Sequence, residues 1–218
     1  MVSPERIESM QTAWVRLLDR FGVAIVDAYP PFDALVAAYT GPDRHYHNLE
    51  HLSEVFRVAS RLAVHTDDHG ALQLAIWFHD VVYDPLAKDN EVRSADVANE
   101  LLEPLHVPTA TIEKVQRLVR ATAHLLATAP PTERDAAVLL DADLAILGAS
   151  EERYRRYAAD VRREYAFVPD PEYRTGRAAV LQRFLDRPRI FLHQVLVEEG
   201  EERARKNMLD ELTRLRAD

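Results

Sequence analysis

Apolar residues recur along this chain at the three-and-four spacing of helices, and no stretch shows the strict alternation of a half-buried strand. Ser3, Pro4 and Glu5 read as an N-cap, a first-turn proline and an acid that complements the helix dipole. Arg6 stands where a capping box wants Glu or Gln. That helix is expected to reach about Phe21, with Gly22 stopping it, and a second to run from Phe32 to Tyr39, ended by Gly41-Pro42. Asn48 is placed to cap a third, which carries Leu49, Leu52, Val55, Phe56 and Leu62. Gly70 separates it from an apolar helix over Ala71–Val82, broken by Asp84-Pro85. Further helices are expected over Glu91–Leu102, Thr109–Ala127, Glu133–Leu147, Glu151–Ala166, Pro171–Leu185 and Glu201–Arg216.

The expectation is an all-α, single-domain helical bundle over residues 1–218, with its functional core at about 39–192. The charged stretch at 198–218 repeats Leu209, Leu212 and Leu215 at helical spacing, as a solvated helix packing one narrow stripe or touching another subunit would. Nearly half of the 218 residues are hydrophobic, enough for a sizeable core, and the twelve prolines and six glycines gather into no linker. A net charge of −9 argues against general nucleic-acid binding, although it leaves room for a small phosphorylated partner. The absence of cysteine excludes disulfides and thiolate metal sites. The first residues lack a basic segment followed by an apolar core, and no run approaches membrane-spanning length, so a cytoplasmic protein without membrane partners is expected.

Candidate chemistry is concentrated in three places. His79-Asp80 lies in apolar surroundings, with Trp77, Phe78, Val81 and Val82 around it. An aspartate there needs a cation or several donors, because burying an unpaired carboxylate is costly. His47 and His51 stand four residues apart and can share a helical face. At about 100° per residue, Asp143 falls among Leu139, Leu140, Leu144, Ile146 and Leu147, where a carboxylate at the centre of an apolar stripe calls for a metal. Asp141 falls opposite, among more exposed positions, as a cap or as support behind the ligands. His51, His79, Asp80 and Asp143 form a mixed imidazole and carboxylate set suited to Mn, Fe, Co, Ni, Zn or Mg, without choosing among them. A second reading is open: His47-Asn48-Leu49-Glu50-His51 also fits H-x-x-E-H, in which both histidines bind zinc and Glu50 is the base of a peptidase.

The segments Arg44-His45-Tyr46-His47-Asn48-Leu49-Glu50-His51, Trp77-Phe78-His79-Asp80-Val81-Val82-Tyr83, Asn90-Glu91 and Leu140-Asp141-Ala142-Asp143-Leu144-Ala145-Ile146-Leu147-Gly148 resemble the HD-domain superfamily of metal-dependent phosphohydrolases. They are most similar to a bacterial subgroup of predicted HD phosphohydrolases without an assigned substrate. Tyr173-Arg174-Thr175-Gly176-Arg177 looks similar as well. The Tyr-His-Asn-x-x-His segment also resembles the entry to the metal site of cyclic-nucleotide phosphodiesterases. The resemblance implies His51, His79, Asp80 and Asp143 as ligands of a divalent metal, Asp80 also orienting the attacking water, and His47 as the acid that protonates the leaving oxygen. It implies a small phosphorylated substrate such as a nucleotide. Two-metal members carry additional histidines after the His-Asp pair, where this chain has Asp84, Asn90 and Glu91 and no histidine until His106, so one tightly held metal is expected, with Glu91 a supporting group or weak second site. A metal- or nucleotide-holding HD module with little turnover is the non-enzymatic alternative.

Softer candidates surround these. Glu113, Arg117, Arg120 and His124 form one polar stripe, read as a solvated face from which His124 can approach the site. Arg44, Arg162, Arg174 and Arg177 are read either as phosphate contacts or as surface charges, the last three near the acids Glu164 and Glu172. Tyr154, Tyr157 and Tyr165 are read as core or pocket lining.

Overall fold

The computed structural model describes residues 3–124 and 130–217, which are helical with no strand. Helix α1 covers Pro4–Asp19, α2 Ile25–Tyr39, α3 Leu49–Arg61, α4 His69–Phe78, α5 Asn90–Leu102 and α6 Thr109–Ala121. After them come α7 over Arg134–Leu144, α8 over Glu151–Glu164, α9 over Asp170–Leu185, the short α10 over Gln194–Leu196 and α11 over Glu202–Arg216. The fold is all-α, as the periodicity predicts, and among the described residues no helix is long and apolar enough to cross a membrane.

Two short helices form the centre. Helix α4 buries nearly every residue from Gly70 to Phe78, and it packs on α3, α6 and α7. Such a helix cannot be amphipathic, and its uniformly apolar sequence is the reason it sits inside. Trp77 is its hub, meeting the rings of Trp14 at 5.5 Å, Phe56 at 5.4 Å and Phe32 at 5.9 Å, all edge-on. Edge-to-face pairs add about 0.5–1.5 kcal/mol each beyond their buried area. Helix α7 is the second buried element, enclosed on most sides from Asp135 to Leu144.

The structure moves several expected boundaries. Helix α2 begins at Ile25, with Pro30 and Pro31 inside it, and not at Phe32. Proline already holds a helical φ, but inside a helix it lacks an N–H and its ring crowds the carbonyl four residues back, so these turns need outside support. The first turns are fixed from outside, where the Trp14 indole Nε1–H donates to Ala28 O at 2.8 Å. Helix α4 starts before Gly70, capped by the Asp68 carboxylate on Ala71 N at 3.0 Å. Gly70 is a packing residue there, since a Cβ would lie 2.9 Å from the Phe21 ring. The helix stops at Phe78 and not at Val82, so His79-Asp80 stands at its end. Helix α6 ends at Ala121; residues 125–127 of the expected helix lie outside the described residues. The helix expected over Glu133–Leu147 gives way at Ala145–Gly148 to a tighter turn.

The C-terminal stretch is more embedded than its charge suggests. A π turn at Val197–Glu201 joins α10 to α11, and Gly200 lies where a Cβ on Gly148 would come within 3.0 Å of its carbonyl oxygen. The buried face of α11 is Ala204, Met208 and Leu212 with Asn207 and Glu211, while Leu209 is 51% exposed and leaves the expected leucine stripe.

Candidate metal centre

The sequence sets the site at three helix ends. Asn48 caps α3 as expected, its Oδ1 accepting from Glu50 N at 2.8 Å and from His51 N at 3.4 Å. That places His51 in the first turn and leaves His47 in the loop before it. His79 and Asp80 follow the last residue of α4. Asp143 is the penultimate residue of α7.

These four side chains meet, and one ligand atom from each lies within 4.8 Å of every other. His51 Nε2 is 3.2 Å from His79 Nε2, 3.2 Å from Asp143 Oδ1 and 3.5 Å from Asp80 Oδ2. His79 Nε2 is 3.1 Å from Asp80 Oδ2 and 3.7 Å from Asp143 Oδ1. Ligands held at about 2.0–2.2 Å around one ion stand about 2.8–3.6 Å apart for angles of about 90–110°. The donor spacing therefore fits a single ion, and the group could hold one. The His79 Nδ1–H donates to Ile76 O at 2.8 Å, which aims Nε2 into the cluster.

Electrostatics reinforce the point. Burial would strip both histidines of charge, yet hydrogen bonds and charge from Asp80 and Asp143 raise His51 and carry His79 well above the usual range. Burial likewise opposes ionisation of Asp80 and Asp143, and the histidines overcome it, holding both well below the carboxylate range. Two buried imidazoles and two partly buried carboxylates thus gather with two negative charges directed at one point.

Neighbouring residues hold the four in place. His124, read as part of a solvated stripe, reaches the site, and its Nε2 donates to Asp143 Oδ2 at 2.7 Å. Arg44 is a clamp between two loops. It lies over the rings of Tyr39 and Tyr83 and donates to the carbonyls of His47 at 3.1 Å, Asp80 at 2.7 Å and Val81 at 2.8 Å. The loop bearing His47 is thereby tied to the turn bearing Asp80. Glu91 lies in the first turn of α5 and does not join the cluster.

His47 stands beside the ligands and not among them. Its ring is 5.8 Å from that of His51 and stacks on Tyr83 at 3.9 Å. Its Nδ1 donates to Glu164 Oε2 at 2.7 Å, while Glu164 Oε1 accepts from Tyr46 N at 2.7 Å and His47 N at 2.9 Å. Burial opposes the charge on Glu164, but these bonds prevail and its pKa is lowered. Sequence reasoning took Glu164 as an ion-pair partner for nearby arginines; its actual partners lie 117 and 118 residues upstream. Glu50 turns outward to Arg156 at 2.7 Å, so the base required by the H-x-x-E-H reading does not face the histidines.

Asp141 corrects the helical-wheel reading. It is fully buried, not exposed, and accepts from Leu192 N at 2.7 Å, His193 N at 2.7 Å and His193 Nδ1 at 2.8 Å. It anchors the segment before α10 and stays outside the ligand group. The remaining arginines also have structural partners: Arg162 binds Asp170 at 2.7 Å and Arg177 binds Glu211 at 2.8 Å. Arg174 lines a groove between α8, α9 and α11. Tyr154 is buried and donates to Glu211 at 2.5 Å, and Tyr157 packs on Tyr46 at 4.6 Å.

No family model, curated protein or solved structure matches the chain.

Proposed function

We propose that this protein is a metal-dependent phosphohydrolase of the HD type, acting on a nucleotide or another small phosphoester. The observation that carries the reading is the coincidence of two arrangements. Four preassembled donors could hold an ion, and an imidazole set apart from them is backed by a buried carboxylate. A ligand set alone would suit a metal-holding module equally well. The second arrangement gives the site a proton donor.

Bound at His51, His79, Asp80 and Asp143, a divalent cation would supply Lewis-acid chemistry, making water acidic and neutralising phosphoryl charge. The chain's own groups supply the rest. Asp80 keeps one fifth of its side chain exposed beside the buried His79, and so can orient a water at the mouth of the site. Glu164 accepts from His47 Nδ1 and so orients the ring, leaving Nε2 as the atom that would pass a proton to the leaving oxygen. Tyr83 holds that ring flat from one side. Arg44 keeps acid and ligand turn at a fixed separation.

The test is a screen of nucleotides and small phosphoesters with each divalent metal, alongside metal analysis of the same preparation. Metal-dependent release of phosphate is expected. A preparation with full metal content that turns over none of them would leave the metal-holding module as the better reading. Cleavage of casein without phosphoester turnover would favour the peptidase reading.

A further inference from the structure

A cleft of about 240 Å³ runs from the metal centre along α3 to the π turn, with His51 and Asp143 in its lining. It is smaller than the roughly 300–1,000 Å³ that drug-sized ligands occupy, and suits a phosphate-bearing fragment. Four guanidinium groups border it, in a chain whose net charge is −9. Two of them are compensated. Arg153 forms a two-pronged pair with Glu54 at 3.1 and 2.8 Å, and Arg61 pairs with Glu199 at 2.7 Å. The other two are not. Arg57 is exposed on α3 with no ion-pair partner among the described residues. Arg203 donates only its Nε, to Gly148 O at 3.0 Å, which fixes the group on the cleft wall with its other nitrogens available.

Two further features point into the same cleft. The Tyr46 hydroxyl is buried without a hydrogen-bond partner among the described residues, and a native polar group in that state is completed by a water, an ion or a ligand. Tyr46 itself lines the cleft, beside Glu54, Asp143 and Arg153. The π turn contributes Glu199 and Gly200 to the wall, at the point where the Gly148 and Gly200 backbones touch. Single π turns are frequent at functional sites.

We propose that this cleft is a second anion subsite, in which Arg57, Arg203 and the Tyr46 hydroxyl bind a further phosphate of a substrate whose scissile phosphate lies at the metal centre. The inference rests on the hydrolase reading for its scissile phosphate. It names the substrate class: phosphoesters carrying two or more anionic groups.

The test is calorimetric titration of the full-length, metal-loaded protein with propanediol bisphosphate and with propyl phosphate. Arginine bonds to phosphate are charge-assisted, so the bisphosphate should bind about 10-fold or more tightly than the monophosphate. Arg57→Ala and Arg203→Ala should each remove most of that preference and leave propyl phosphate within about twofold, while Arg117→Ala, on the far-side pair with Glu133, changes neither. Equal affinity for the two ligands overturns the subsite, as does a preference that survives both substitutions. Binding is read without turnover. An arginine-dependent preference in a protein that hydrolyses no phosphoester would sink the hydrolase reading and keep the subsite. Monoester turnover without any bisphosphate preference would do the reverse.

Discussion

Metal loading should stabilise this protein by an amount that one carboxylate controls. An ion that binds only the folded chain adds RT ln(1 + [L]/Kd), or about 2.7 kcal/mol at a hundredfold excess over Kd. For a domain of this size each kcal/mol moves the melting temperature by about 2–4 °C, so loading should raise it by about 5–11 °C. Asp143→Asn keeps the side chain's shape and leaves an oxygen to accept from His124, but removes the charge facing His51 and His79. If the substitution weakens binding about 100-fold, the same metal concentration equals the new Kd, and the gain falls to about 0.4 kcal/mol, or about 1–2 °C. Asp141→Asn is the matched control two residues away. It loses charge-assisted bonds to Leu192 and His193, at about 1.5–3 kcal/mol, so the metal-free protein melts earlier while the metal increment stays whole. The assay is scanning calorimetry of each protein, metal-free and loaded, with metal content measured on the same samples. An equal increment in wild type and Asp143→Asn would place the ion elsewhere and refute the site. So would an unchanged melting curve in wild type of verified loading.

His47→Ala should keep its metal and lose turnover by about 10²–10⁴-fold, whereas Asp80→Ala should lose both; metal analysis with a phosphoester assay reads the difference, and metal loss in His47→Ala would sink its assignment as the acid. Glu50→Gln should leave turnover nearly intact, since Glu50 pairs with Arg156 at the surface, and its loss would revive the peptidase reading. The carboxylate of Glu164 has its pKa lowered in the fold, so its stabilisation is complete above the ordinary glutamate value of 4.5 and is lost as pH falls through the lower folded value. Urea unfolding should therefore show Glu164→Gln well below wild type at pH 7, with the gap narrowing as pH falls below 4.5; a gap of constant size would contradict the linkage. Asn48→Ala should cost about 0.5–2 kcal/mol by removing the cap on α3, measured by the same unfolding.

The four clustered residues were legible because each stands where local pattern forbids it. His79-Asp80 interrupts an apolar helix, Asp143 interrupts a leucine cluster, and Asn48 announces the start of the helix that carries His51. Asp141 was misread because a helical wheel assumes one wet side, and α7 has almost none. What made Asp141 tolerable inside was the backbone of Leu192 and His193, half a hundred residues on, which no local pattern reveals. Glu164 was missed as a support for the same reason, and His124, read only as able to approach the site, could not be given its partner Asp143: both contacts are defined only by tertiary packing. Pro30 and Pro31 misled in the opposite direction, their local veto on helix start being overridden by a tether from Trp14.

Helix α7 is riveted at three carboxylates. Asp135 accepts from Asp67 N at 2.8 Å and pairs with Lys114 at 2.5 Å, Asp141 holds the chain before α10, and Asp143 meets the histidines. Sliding α7 by one residue would turn each of them about 100° from its partner. Two of those rivets lie outside the ion site, so the helix has only one register whether or not an ion is present. The Asp143 carboxylate is then a fixed point: an ion bound there would meet it at a position set in advance, and any shift of that position would have to draw a helix that Asp135 already holds at its other end.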